Sequence, residues 1–396
     1  MRHAPILPGN LPDLVCPRDG TFLQWGGGGL RCETCRSTWP REGNIPVFSK
    51  PQSYWGEIST QEMEPLLQEA EREGWEKALR KRLLPEEAGT EAKGKESGKG
   101  KESGKGKASA KRKGSAGEGA APRGRFLYEY ATDPSRADWR FLLPLNERSK
   151  VLDIGAGWGA LTMALAAEVG AVVATDEMVE RARFVDIRAR QSGFANVFPI
   201  AAPAHLIPFP DGVFDLVILN GVLEWVGLSR VHKNPRQVQL LVLKSIAKKL
   251  APGGHVYIGI ENRYGYHYFL GVPDDHTKVW GTNLLPRSAA NAVMKMRRGK
   301  EYRAYTHSYG GIRRLLKEAG FPTIRMHAAI PTYRRPKDLL PLSSTTVFDF
   351  YCERYPVLSA KRRMKVEAAK ALYRAGILQR IAPHFAIVAS KAASAS

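Results

Sequence analysis

The chain has 396 residues, 43% of them hydrophobic, enough for one large core and a small second module. No run approaches the ~18 apolar residues that span a bilayer, and Met1–Val15 has no charged region leading into an apolar block, so a soluble, cytoplasmic protein without a signal peptide is expected. Of the net charge of +21, residues 91–125 carry eight Lys and three Arg against four Glu, and much of the rest gathers after about residue 286, as in Arg297-Arg298, Arg334-Arg335 and Lys361-Arg362-Arg363. A solvated basic face accounts for this balance; so does attraction to RNA, a phosphate-bearing substrate or, peripherally, an anionic membrane surface.

In chain order, residues 10–50 come first. Cys16-Pro17-Arg18-Asp19 and Cys32-Glu33-Thr34-Cys35 flank the Gly26–Gly29 run. Two knuckles joined by a β-hairpin would bring Cys16, Asp19, Cys32 and Cys35 to one tetrahedral point, the geometry Zn²⁺ accepts. Three clustered cysteines in such a chain argue for metal rather than disulfides. The module, with its tail Trp39–Phe48, resembles the zinc ribbons that accompany tRNA and protein methyltransferases and those fused before bacterial methyltransferases. Those ribbons carry a cysteine where this chain has Asp19. The expectation is a structural zinc site of three thiolates and one carboxylate, in a module that positions a partner protein or substrate. The alternative is a ribbon that keeps its fold without metal.

Residues 51–85 form a connector, with Leu66, Leu67, Ala70, Trp75, Leu79 and Leu83 near helical spacing. Residues 86–123 follow, where Lys95-Glu96-Ser97-Gly98-Lys99-Gly100 repeats as Lys101–Gly106. Gly, Ser and Lys bury nothing that could offset the entropy of ordering, so a disordered tether is expected.

From residue 124 to 396 the pattern is α/β. Val151–Ile154 runs into Gly155-Ala156-Gly157-Trp158-Gly159, and Asp176 stands at the end of the next apolar run, Ala171–Thr175. Glycines allow a tight turn and close backbone approach, and an acid there can bind a ribose diol. Strand Val197–Ala201, the Pro208–Val217 turn into strand four, Asn220–Trp225, a helix including Gln239–Leu250, and Leu250-Ala251-Pro252-Gly253-Gly254 before strand His255–Ile260 follow. In this order the segments resemble the class I, seven-stranded S-adenosylmethionine-dependent methyltransferases. The resemblance implies a Rossmann-like sheet flanked by helices, with strand seven (Phe385–Ala389) antiparallel after strand six (Thr323–Ile330), and residues 331–383 as an insertion between them.

It also implies the cofactor and its contacts. Asp153 would reach the methionine amino group through water, Gly155 and Gly157 would let the backbone approach, Gly159 would open the next helix, and Asp176 would hold the ribose. Met178 would lie near the adenine, and Asn220 would face the methionine moiety and the acceptor. Relatives carry an acid after strand three; this chain has Ala201-Ala202-Pro203-Ala204-His205 there.

Beyond strand five, Glu261-Asn262-Arg263-Tyr264-Gly265 and Gly271-Val272-Pro273-Asp274-Asp275-His276 resemble a signature of bacterial methyltransferases linked to cell-surface polysaccharide. His276 beside Asp275 would supply a general base, Arg263 a bidentate site for phosphate or carboxylate, and Tyr264, Tyr266, Tyr268 and Phe269 surfaces for sugar faces. A turn whose Asp and His satisfy backbone groups is the alternative. O-methylation of a glycan, glycolipid precursor or similar hydroxylated acceptor is the leading expectation. The runner-up is ribosomal RNA base methylation, although the chain lacks the Asn/Asp-Pro-Pro-Tyr/Phe motif of amino-directed base methylases. A non-catalytic scaffold is the third reading.

Overall fold

The computed structural model describes residue 11 and residues 13–50, 57–84, 120–228, 234–354 and 359–393. Its centre is an eight-stranded sheet. The strands are β5 (Lys150–Ile154), β6 (Ala171–Asp176), β7 (Val197–Ala201), β8 (Phe214–Asn220), β9 (Leu250–Glu261), β10 (Thr323–Ile330), β11 (Asp338–Pro341) and β12 (His384–Ser390). Their spatial order is β11-β10-β12-β9-β8-β5-β6-β7. β5 pairs in parallel with both β6 and β8, so the connection direction reverses at β5 and leaves a crevice at the strands' carboxyl ends. β5, β6 and β8 are nearly continuous apolar runs because helices cover both faces of the parallel part.

β12 lies antiparallel between β9 and β10, as the resemblance implies. The sheet differs from the expected seven strands by β11, which pairs antiparallel with β10 through Ala328↔Leu340 and Ala329↔Leu339. Leu340 is buried there, so part of the segment expected to be an insertion covers what would be the sheet's edge. The rest of it contains α10 (Thr345–Glu353), α11 (Ala360–Arg374) and α12 (Ile377–Ile381).

The remaining helices are α1 (Thr60–Glu73), α2 (Trp75–Leu83), α3 (Ala120–Thr132), α4 (Ala160–Ala166), α5 (Val179–Gln191), α6 (Pro235–Lys249), α7 (Tyr266–Phe269), α8 (Arg287–Arg298) and α9 (Tyr309–Glu318), with a 3₁₀ helix over Pro134–Leu142. α6 starts where Asn234 accepts from Arg236 N with Pro235 in the first turn; α9 starts where Ser308 accepts from Gly311 N. The disordered tether expected over 86–123 lies outside the described residues except for 120–123, which belong to α3. Among the described residues, no helix is long and apolar enough to cross a membrane.

At the N-terminus, β1 (Gln24–Gly26), β2 (Gly29–Arg31), β3 (Thr38–Glu42) and β4 (Ile45–Pro46) form a small antiparallel sheet. It packs directly on the large sheet. Val15 N donates to Pro208 O (2.9 Å) and Phe48 N to Ala201 O (2.7 Å), while Val47 bridges Ala201 in parallel beside β7. Leu14, Leu30 and Phe48 join Phe198, Ile200 and Phe209 in one core. α1 and α2, broken apart at Gly74, pack on α5: Leu66, Leu67 and Leu79 cluster with Phe184 and Ile187.

Candidate functional site

A cavity of about 650 Å³ opens where the glycine turn after β5 meets the carboxyl ends of β6 and β8. That is ample for a nucleoside-sized ligand. Gly155 adopts φ +74°, and a Cβ there would stand 2.5 Å from Val222 Cγ2, so both conformation and space require glycine. The turn is tied down from β6, since Gly155 N and Ala156 N both donate to Thr175 O.

Asp176 lines the cavity. One carboxylate oxygen accepts from Gly157 N and the other from Met178 N, each at 3.0 Å. Burial raises its pKa against those donors and the nearby Arg181, yet each oxygen keeps a lone pair for a ribose hydroxyl. Gly155, Gly157, Met178 and Asn220 also line the cavity, as does His205. Gly159, at φ +76°, opens α4 and packs against Val185 and Met163, and Asp153 is buried behind the turn, where it accepts from Thr162 Oγ1 at 2.7 Å. Burial pushes Asp153 up to about 6.

Several wall residues come from segments that carry no motif. Arg136, on the 3₁₀ helix, is buried, donates to the carbonyl of Arg334 at 2.8 Å and stacks 3.6 Å from the Tyr130 ring centroid. Glu57 accepts from Trp158 Nε1 and pairs with Arg181; burial pushes its carboxyl up, but Arg181 overrides this and holds it below the usual range. Tyr333 and Arg334, after β10, close the far end over Gly221. Neither has a sequence signal beyond belonging to a basic stretch.

The block after strand five is arranged differently from expectation. Among the described residues, Asp275 makes no hydrogen bond to the His276 ring; its Oδ2 accepts from Tyr268 OH at 2.6 Å. The carboxylate beside the imidazole is Glu261, with Oε2 3.7 Å from His276 Nε2. Adjacent side chains project in different directions on an irregular backbone, so sequence neighbours need not pair. Asp274 is the turn-forming acid, accepting from the backbone N–H groups of His276 and Thr277 and from Tyr302 OH. Arg263 is occupied too: its guanidinium donates to the carbonyls of Asn283 (2.8 Å) and Leu285 (2.6 Å), tying the loop before α8 instead of offering a phosphate site. Tyr268 is buried, whereas Tyr264, Tyr266 and Phe269 are exposed.

Behind the cavity wall lies a buried polar group. Tyr333 OH (3.0 Å) and Arg334 Nη2 (3.1 Å) donate to Glu261 Oε1. Burial, with Glu261 beside it, pushes the Glu224 carboxyl well above the usual range. Burial likewise keeps the Tyr333 phenol protonated.

In the small N-terminal sheet, Cys16, Asp19, Cys32 and Cys35 converge, their ligand atoms all within 4.8 Å of one another. Cys16 Sγ is 3.5 Å from Cys35 Sγ, and Cys32 Sγ is 3.3 Å from Asp19 Oδ2.

With this geometry in place, the similarity to known proteins falls where the cavity is. A family described as a methyltransferase domain matches residues 145–277. Those residues form a methyltransferase domain. The chain is 28% identical over 167 residues to the ubiquinone biosynthesis O-methyltransferase of Ralstonia nicotianae, covering 42% of this chain and 64% of that protein. It is 32% identical over 124 residues to the same-named protein of Pectobacterium carotovorum, covering 31% of this chain and 47% of that one. The chain thus spans between about half and two-thirds of these curated relatives. Among solved structures, Haemonchus contortus phosphoethanolamine N-methyltransferase 2 in complex with S-adenosyl-L-methionine aligns at a TM-score of 0.40 and 16% identity, over 68% of this chain and 57% of that chain. The methyltransferase domain contains the glycine turn, Asp176 and Asn220, and stops just past His276. The small N-terminal sheet and everything after β9 except the segment to Thr277 lie outside it.

Proposed function

We propose that the protein transfers a methyl group from S-adenosylmethionine to a hydroxyl of a glycan, glycolipid precursor or similar small acceptor. The observation that carries this reading is the cavity built on the glycine turn with Asp176 at its rim. The O-methyltransferase names of the two curated relatives support an oxygen acceptor, and exposed Tyr264, Tyr266 and Phe269 would offer stacking surfaces for a sugar. When bound, the sulfonium cofactor supplies an electrophilic methyl carbon that needs no covalent enzyme intermediate. The chain's task is then to hold donor and acceptor in line and exclude water. Asp176 would bind the ribose, Gly155 and Gly157 would let the backbone close on the cofactor, and Met178 would cover the base. Tyr333 and Arg334 close the acceptor end; the Arg334 guanidinium, with donors beyond those given to Glu261 and Tyr333, would take the anion-binding role expected of Arg263.

Converging Cys16, Asp19, Cys32 and Cys35 suit a closed, structural Zn²⁺ site, which would brace the small sheet against β7 and give it a face for a partner protein. RNA methylation is kept as the second reading because of the net charge of +21.

The test is calorimetry with S-adenosylhomocysteine, followed by transfer of labelled methyl from S-adenosylmethionine to hydroxylated and phosphate-bearing glycans and to ribosomal RNA. Micromolar binding with label on a glycan oxygen is expected. Label on RNA with binding that weakens steeply with salt would replace the glycan reading, and no binding of either cofactor form would overturn methyl transfer altogether.

A further inference from the structure

We propose that Glu224, Glu261 and His276 form a buried site for a divalent first-row transition cation directly behind the acceptor wall of the cavity. The three residues come from separate segments: the turn after β8, the last residue of β9 and the loop after α7. One ligand atom from each lies within 4.8 Å of the others. Their side chains are sealed from solvent, with exposures of 0% for residue Glu224 and of 1% and 3% for the Glu261 and His276 side chains.

Among the described residues, both oxygens of Glu224, Oε2 of Glu261 and both ring nitrogens of His276 face no hydrogen-bond donor or acceptor other than one another. Buried polar atoms are almost always partnered, and two carboxylates placed together out of water need a cation or a shared proton to join them. Glu261 divides its two oxygens accordingly: Oε1 is taken by Tyr333 and Arg334, while Oε2 lies 3.7 Å from His276 Nε2.

Two carboxylates and one imidazole on one side suit Mn²⁺, Fe²⁺ or Zn²⁺ and leave further coordination positions open. The ion's neighbours connect it to the cavity. Trp225 lines the cavity and sets its ring edge-on to His276 at 4.7 Å, and Tyr333 and Arg334 line it while bonding Glu261. A cation there would lock these three wall residues in place. This cation site does not depend on whether the protein binds S-adenosylmethionine, and it is separate from the cysteine cluster in the N-terminal sheet.

The test uses Mn²⁺, which hard carboxylates bind and the thiolate cluster disfavours. The full-length protein, stripped of metal, is titrated with Mn²⁺ while the free-ion electron paramagnetic resonance signal is followed, and its melting temperature is measured with and without the ion. One bound Mn²⁺ and a rise in melting temperature are expected for the wild type. For Glu224→Gln and His276→Ala, affinity should fall at least about tenfold and the temperature rise should disappear, while Cys32→Ser should bind as the wild type does. A single cooperative melting transition and an unchanged far-UV circular dichroism spectrum for each metal-free variant check that the fold survives. The inference is overturned if the wild type binds no Mn²⁺ at millimolar concentration, or if Glu224→Gln binds it as tightly. Either result, with Glu224→Gln melting as high as the wild type or higher, would show that a shared proton alone joins the two carboxylates.

Discussion

At the scale of single residues, Asp176 carries the most weight for its size. Its two oxygens are already oriented by the backbone N–H groups of Gly157 and Met178, so the carboxylate is fixed before any ligand arrives. Charge-assisted hydrogen bonds to a ribose diol contribute about 1.5–3 kcal/mol. Asp176→Asn, which removes the charge and turns an amide NH2 toward one of the two backbone N–H donors, is therefore expected to weaken S-adenosylhomocysteine binding by roughly ten- to 150-fold in calorimetry and to lower the melting temperature. The place of Asp176 at the cavity was legible because it depends on a fixed distance from a glycine turn along consecutive parallel strands. The acceptor side was not legible in that way. Asp275 and His276 are adjacent in sequence, but Asp275 bonds Tyr268, while the His276 ring makes no hydrogen bond among the described residues. The acids that do gather near the imidazole, Glu224 and Glu261, lie 52 and 15 positions upstream of it. Arg263 shows the same limit, because nothing in its sequence context says that two carbonyls twenty-odd residues downstream will occupy its guanidinium.

At the scale of elements, strands were easier to place than their surroundings. β7 and β10 fall on the expected residues because apolar runs bounded by turns fix a buried strand. β11 is four residues long with no distinctive pattern, and only the neighbouring β10 makes it a strand. The connector helices are a second case: periodicity gave their apolar face but not what it covers. That face packs on α5, where Leu66 is fully buried among Phe184 and Ile187. Leu66→Ala should cost about 2–5 kcal/mol in a denaturant melt, since removing a buried side chain adds a cavity to the lost burial. The ion pairs on the same interface are different: Arg190 reaches Glu71 at 2.7 Å with both side chains about half exposed. Arg190→Ala should cost under about 1 kcal/mol, because water screens the pair. Equal costs for the two substitutions would mean that electrostatics rather than burial holds the connector in place.

At the scale of the whole molecule, the N-terminal sheet and the methyltransferase domain share a core among the described residues. Stability should then report buried groups from across the chain in one transition, and pH separates them. His307 is buried, and its Nε2 faces Gln239 Oε1 at 2.7 Å. Gln239 spends its amide N–H groups on the carbonyls of Leu223 and Tyr305, so Oε1 must accept and His307 Nε2 must carry the proton. Burial depresses His307 to about 3 and His384 to about 4. Between pH 6.5 and those values the unfolded chain binds protons at both positions that the folded chain refuses, so stability from these groups is lost as pH falls. Asp153 acts in the opposite sense. Its folded pKa of about 6 lies above its unfolded value, so its contribution is present at low pH and lost as pH rises from about 4 to 6. Each group changes the slope of stability against pH by about 1.4 kcal/mol per unit while its two forms differ. His307→Gln, which can keep the hydrogen bond to Gln239, should flatten the fall in stability between about pH 6 and 4 by that amount. Asp153→Asn should steepen it by a similar amount. Denaturant melts at half-unit pH intervals measure both slopes; a His307→Gln slope equal to that of the wild type would mean that His307 is charged in the fold, contrary to its burial.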